Sequence, residues 1–143
     1  MSREDVVAYT VMRYLLSRQW RIFQYHAPGG QAAIHFDLAD RTRVVPDLMG
    51  YRDALLLIVE CKGRYAMSDI NKLEVMQGDA ALVDTALALA ARHAAEEGVI
   101  SPPLRQVVFA HACQKTTLQH DHPAIGLITV RDDGTVETTL PIQ

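Results

Sequence analysis

The chain has 143 residues, 49% of them hydrophobic and 22% charged, with two cysteines and a formal net charge of −3. That is the length of one domain and the balance of an ordinary globular protein, so residues 1–143 are read as a single domain. Collagen-like, disordered and disulfide-framework classes are excluded. The apolar run Ala54–Val59 is also far shorter than the roughly 20 residues of a membrane span, so no membrane partner is expected.

The charge is uneven. Residues 1–64 carry nine Lys/Arg against seven Asp/Glu, a net of +2; residues 65–143 carry five against ten, a net of −5. Eleven of the fourteen basic residues are arginine, whose planar fork suits phosphate. No apolar segment follows Ser2-Arg3-Glu4-Asp5, so no secretory signal is expected and the location is read as cytoplasmic. Cys61 and Cys113, outside any CxxC spacing, are then expected as reduced thiols.

In chain order, the first predicted element is a helix over 3–18, capped by Ser2 with Asp5 three residues on. Ala8, Val11, Met12 and Leu15 form its apolar face, and Glu4 falls on the same stripe at the spacing 4, 8, 11, 15. A strand is predicted over 20–25, a Pro28-Gly29-Gly30 turn over 26–30, and a short strand over 34–38. Residues 44–51 read as one further strand, with Pro46 marking an edge or bulge. After a tight Arg52-Asp53 connection, residues 54–62 read as a strand buried on both faces, because both parities are apolar. A long helix over 68–97, kinked near Gly78, carries Leu73, Met76, Ala80, Val83, Leu87, Ala90 and Ala94 at steps of three and four. A buried strand over 105–112 and a hairpin of 125–130 with 136–140, turning at Asp132-Asp133-Gly134, complete the chain. Helix, strands, helix, strands is the order of an α/β fold with a mixed sheet.

The chemistry gathers at the end of the buried strand. Alternation along a strand sets Glu60 and Lys62 on one face and Cys61, with Leu55, Leu57 and Val59, on the other. Pairing through the tight connection brings Asp47 close to Glu60. Two hard oxygen donors beside an ammonium suit Mg²⁺ and phosphoryl chemistry. The competing expectation is a same-face Glu–Lys ion pair next to an Asp that only makes a turn.

Pro46-Asp47, followed after an apolar strand by Glu60-Cys61-Lys62, resembles the motif of the PD-(D/E)XK nucleases. The resemblance covers about 3–112. It implies a restriction-endonuclease-like core in αβββαβ order, a mixed β-sheet flanked by helices, with a C-terminal β-hairpin extension. It further implies that Asp47, Glu60 and the backbone carbonyl of Cys61 bind Mg²⁺, with Mn²⁺ as substitute, and that Lys62 is the catalytic lysine. Many members use a glutamate of the first helix as catalytic and metal-binding residue, a role that Glu4 matches; its alternative is charge complementing the helix dipole. Several branches carry a Gln or Lys on the helix after the motif, for which Gln77 and Lys72 are the candidates. Gln77 is the one assigned to the site, since it flanks the apolar stripe; Ala81 departs from the Gln-x-x-x-Tyr pattern of one branch.

The implied activity is metal-dependent hydrolysis of DNA phosphodiester bonds, as a restriction- or resolvase-like endonuclease leaving 5′-phosphate and 3′-hydroxyl ends. RNA is a second possible substrate. The bare core implies a homodimer or a subunit of a larger complex. The rival expectation is a catalytically weak nucleic-acid-binding or interaction subunit of a DNA-processing or defence complex.

Other residues compete for a role. His111-x-Cys113 and His120-x-His122 are spaced like paired zinc ligands, against the alternatives of a strand histidine and a polar loop. Arg41, Arg43, Arg52, Arg64 and Tyr65 surround the motif and suit phosphate or base contacts, against solvated surface. His26 and His35 are lone histidines. Pro28-Gly29-Gly30 lacks the Lys-Ser/Thr of a triphosphate loop.

Overall fold

Ser2 begins the first element as a true capping box. Its hydroxyl accepts the Asp5 N–H at 3.1 Å, and the Asp5 carboxylate accepts the Ser2 N–H at 2.9 Å. These bonds hold the Asp5 carboxyl below its ordinary range. Helix α1 (Arg3–Ser17) follows and buries Val7, Ala8, Val11 and Leu15. The structure is a computed structural model describing residues 2–25, 34–99, 103–114 and 122–139.

Strand β1 (Arg21–Tyr25) comes next, then a two-stranded antiparallel ribbon of β2 (Phe36–Asp37) and β3 (Arg43–Val44). Strands β4 (Leu48–Arg52) and β5 (Leu55–Cys61) form a hairpin that turns at Asp53, with φ at 54°. Helices α2 (Met67–Gln77) and α3 (Ala80–Glu96) lead to β6 (Gln106–Gln114), β7 (Gly126–Val130) and β8 (Val136–Thr138). The main sheet has six strands in the order β1-β4-β5-β6-β7-β8. The β1, β4 and β5 strands are antiparallel neighbours; β5, β6 and β7 run parallel; β8 returns antiparallel on β7. The fold is thus α/β, a mixed sheet flanked by helices. Among the described residues no helix is long and apolar enough to cross a membrane.

Each face of the sheet has its own core. Val7, Val11, Leu15 and Trp20 pack with Leu57, Val59, Cys61, Ala110 and Ile128 on one face. Ile70, Leu73, Met76, Leu82 and Ala86 pack with Met49, Leu56, Ile58 and Phe109 on the other. The double burial of β5 read from its sequence is therefore correct, and Cys61 lies on the α1 side with Leu57 and Val59, as expected from parity.

Three expectations are corrected. Residues 44–51 are two elements, because Pro46 cannot donate to a ladder; β3 belongs to the ribbon and β4 starts at Leu48. The long helix is broken rather than kinked. Gly78 ends α2, and the Asp79 carboxylate restarts the chain by accepting the Leu82 N–H at 3.1 Å. The buried stripe accordingly changes phase to Leu82, Ala86, Ala90 and Ala94, leaving Ala80 exposed. Third, the Lys62 ammonium does not meet Glu60: it pairs with Glu4 of α1, while Glu60 lies against Lys72 of α2. The predicted turn over 26–30, with His26, lies outside the described residues.

Candidate functional site

The β4–β5 register pairs Leu48 with Val59, so its next step sets Asp47 opposite Glu60. Asp47 is held there by the main chain: its Oδ2 accepts the Cys61 N–H at 2.7 Å. Glu60 sits on the α2 side of β5, 4% exposed, because it continues the parity of Leu56 and Ile58. Among the described residues its Oε1 is buried without a hydrogen-bond partner, and the Lys72 ammonium lies 3.5 Å away, an ion-pair distance longer than a normal hydrogen bond.

Burial first, then the charge of Asp47, push the Glu60 carboxyl up to about 8 against the pull of Lys72; Asp69 adds to the rise. Burial likewise raises Asp47, opposed by the Cys61 N–H and by a hydrogen bond from Glu60. Of the two, Glu60 is the member whose proton affinity is raised further and so the one that favours the proton near neutral pH. This is a carboxyl pair sharing one proton, since two charges side by side in a buried place repel.

Lys62 pairs with α1 rather than with Glu60, although its charge still lowers Asp47. Regular pairing of β5 stops at Cys61; the Lys62 N–H still donates to the Ala112 carbonyl, but its side chain reaches the α1 layer. There its ammonium lies 4.0 Å from Glu4 Oε1, with both side chains a little less than half exposed, at 43% and 44%. Glu4 thus meets Lys62 rather than joining Asp47 and Glu60. Among the described residues no group of three or more His, Cys, Asp or Glu is gathered to hold a metal ion. The predicted third carboxylate donor is in this way a partner of the lysine, although its charge still raises Asp47.

Gln77 is not at the site. It lies in the last turn of α2, where its Nε2 donates to the Ala124 carbonyl at 3.0 Å. Lys72, the other residue considered on this helix, makes the contact with Glu60. Two further residues come from the structure alone. Asp69, in the first turn of α2, is 8% exposed with a buried Oδ2 lacking a hydrogen-bond partner among the described residues. His111 is level with Glu60 on β6 and accepts the Ala66 N–H at 3.2 Å through Nε2, with Tyr65 edge-on at 5.6 Å. It pins the segment that carries the chain from Lys62 into α2. His111 is visible in the sequence as a polar residue inside an apolar strand; Asp69 looks like any helix N-terminal acid.

The histidine and cysteine pairs do not converge. Cys113 is buried in β6, with its thiol pushed up to about 11 by burial, and His122 lies against Glu74. His120 lies outside the described residues. Arg43 pairs with Asp37, Arg52 with the Arg18 carbonyl, and Arg64 is exposed beside the site. His35 lines a cleft of about 390 Å³ between the ribbon and α3, to which Glu60 does not contribute.

The oxygen donors fit a hard divalent cation. Two adjacent carboxyl groups, one with a buried oxygen lacking a hydrogen-bond partner among the described residues, match the one or two carboxylates by which Mg²⁺ is usually held. Among known proteins, no family model, no curated sequence and no solved structure matches the chain.

Proposed function

We propose that the chain is a metal-dependent nuclease that hydrolyses DNA phosphodiester bonds, built on a restriction-endonuclease-like core. The carrying observation is the Asp47–Glu60 pair at the end of the doubly buried β5, flanked by Lys62 and Lys72. A strand end with both faces packed is a costly place for two carboxyls, and a burial cost of that kind points to a task. The element order supports the core: α1, three antiparallel strands, a helical crossover, then a parallel strand, with the ribbon and β7–β8 as additions.

Asp47, Glu60 and the Cys61 carbonyl are the groups that would hold Mg²⁺ or Mn²⁺. Such a cation supplies charge neutralisation at a phosphoryl group and acidifies a water. The protein's own part is positional. The Cys61 N–H fixes the Asp47 carboxylate, and the rigid β5 fixes Glu60. Lys62, held by Glu4, offers N–H donors to the attacking water and to charge growing on the phosphate oxygens. Lys72 stands beside the carboxyl pair and offsets the one negative charge it carries in the metal-free protein. Homodimerisation would give two sites at a fixed separation, one for each strand.

Cleavage of supercoiled plasmid and of branched DNA, with Mg²⁺ or Mn²⁺ and with chelator, tests the reading. Cation-dependent nicking that the Asp47→Ala variant lacks is the expected result. DNA binding with no cleavage under any cation would favour the weakly catalytic subunit instead.

A further inference from the structure

Three guanidinium groups lie against aromatic rings along one edge of the molecule. Arg13 sits 5.8 Å from the Tyr9 ring centre and donates to its hydroxyl at 3.2 Å. Arg18 sits 5.3 Å from Tyr14, and Arg52 sits 4.5 Å from Trp20. The Arg52 fork also donates to the Arg18 carbonyl at 3.0 Å, which joins the second pair to the third. The pairs run from the middle of α1 to the β4–β5 turn. A cleft of about 540 Å³ beside Tyr9, Arg13, Tyr14 and Arg18 is followed by one of about 630 Å³ beside Trp20, Arg21 and Arg52.

The charge of the sequence stretch that builds this edge is one-sided. Between Asp5 and Asp37 the sequence has no Asp or Glu but carries Arg13, Arg18 and Arg21. Among the described residues none of these three forms an ion pair with a carboxylate. Asp53 does line the second cleft, and Asp133 of the β7–β8 turn is engaged by Thr135 at 2.6 Å.

The geometry favours phosphates over bases. Each ring already has a guanidinium against it; Trp20 is only 2% exposed and acts as a support, while Tyr9, 43% exposed, is engaged by Arg13 at both its face and its hydroxyl. Arg13, Arg18 and Arg21 are exposed, and the guanidinium fork matches phosphate oxygens. Backbone recognition with no demand on the bases suits a duplex, whose bases stay stacked. From Glu4, beside Lys62, to Arg18 the helix rises about 21 Å, so the edge leads away from the candidate site.

We propose that the edge carrying Arg13, Arg18 and Arg21 is a sequence-independent phosphate track for double-stranded DNA. Its role as a lead to the catalytic end rests on the nuclease reading, but its test is binding alone. Anisotropy of a labelled short duplex is measured in chelator, between about 50 and 200 mM salt, for the full chain and for Arg13→Gln, Arg18→Gln, both together, and Arg92→Gln on α3 as control. Each track variant is expected to weaken binding several-fold and to make the plot of log affinity against log salt shallower by about 1. Two duplexes of unrelated sequence should respond alike, Arg92→Gln should match the unaltered chain, and Arg13→Lys should recover part of the loss. Matching melting curves would exclude misfolding. An unchanged salt slope in the double variant, no duplex binding at any salt, or tighter binding to a single strand would each overturn the track. Cation-dependent cleavage with an unchanged slope would leave the nuclease reading standing without the track; the reverse result would leave the track without the nuclease.

Discussion

Asp47 and Glu60 titrate as a unit, and this gives the metal-free protein a pH signature. Glu60 has its proton affinity raised from 4.5 to about 8 in the fold. Because the folded value is the higher one, its contribution to stability is fully present below 4.5 and is lost as the pH rises through about 8. Chelated protein is therefore expected to melt at a lower temperature above about pH 8 than near pH 6, and Glu60→Gln to flatten that difference. Equal dependence in the variant would show that another group governs it. With cations present, Asp47→Ala, Glu60→Ala and Lys62→Ala should each abolish cleavage with the fold retained. Calorimetry separates them: the first two should weaken Mg²⁺ binding and Lys62→Ala should not, as its ammonium stands beside Glu4. Wild-type turnover in any of the three would remove the assignment. Cys61 lies between these residues yet faces the α1 core, completely buried, with burial and then neighbouring carboxylates pushing its thiol well above the ordinary range. Thiol reagents should label it only as fast as the protein unfolds, and Cys61→Val should keep cleavage, since the main-chain carbonyl remains. Rapid labelling of folded protein would contradict this placement.

The β1–β4 edge of the sheet depends on one small residue. A Cβ on Gly50 would stand 2.8 Å from Ile22 Cδ1 and 2.9 Å from the Arg21 carbonyl oxygen. The side chain could swing away, but the carbonyl belongs to β1, beside the irregular register between Ile22 and Gln24. Gly50→Ala is expected to cost about 1–3 kcal/mol by overpacking, read as a lower urea midpoint with unchanged slope. A neutral result would mean that the bulge absorbs the methyl group. At this scale the elements were mostly legible in the sequence. Capping at Ser2, alternation in β7 and the Asp-Gly turn are local signals, and local chemistry decided them. The exceptions have local causes that compete with a regular pattern. Apolar steps of three and four continue across Gly78-Asp79, while a flexible residue followed by a capping carboxylate ends one helix and starts another. That break also removes Gln77 from the site, by placing it in a last turn directed at Ala124.

Across the whole molecule, β4, β5 and β6 supply side chains to both cores at once, so neither helical layer has a foundation of its own. Trp20, the one tryptophan, reports on the α1 face, while far-UV circular dichroism reports on all helices. Their urea transitions are expected to coincide; a separate, earlier change of Trp20 fluorescence would show that α1 leaves the sheet alone.

What the amino-acid sequence determined by itself was the set of elements and the short-range chemistry: the double burial of 55–61, the parity of Cys61, and the closeness of Asp47 to Glu60 across a tight hairpin. These follow from periodicity and from partners fewer than fifteen residues apart. Only the tertiary structure decided the rest. Lys62 turns to α1 because strand pairing stops before it, Glu4 meets that lysine rather than the carboxyl pair, and Lys72 takes the place that apolar spacing gave to Gln77. His111 reaches Ala66 across forty-five residues, and three arginines find their rings along one edge. Such contacts depend on where a chain leaves its strand and on which layer each helix occupies, and those are set by packing two cores on one sheet.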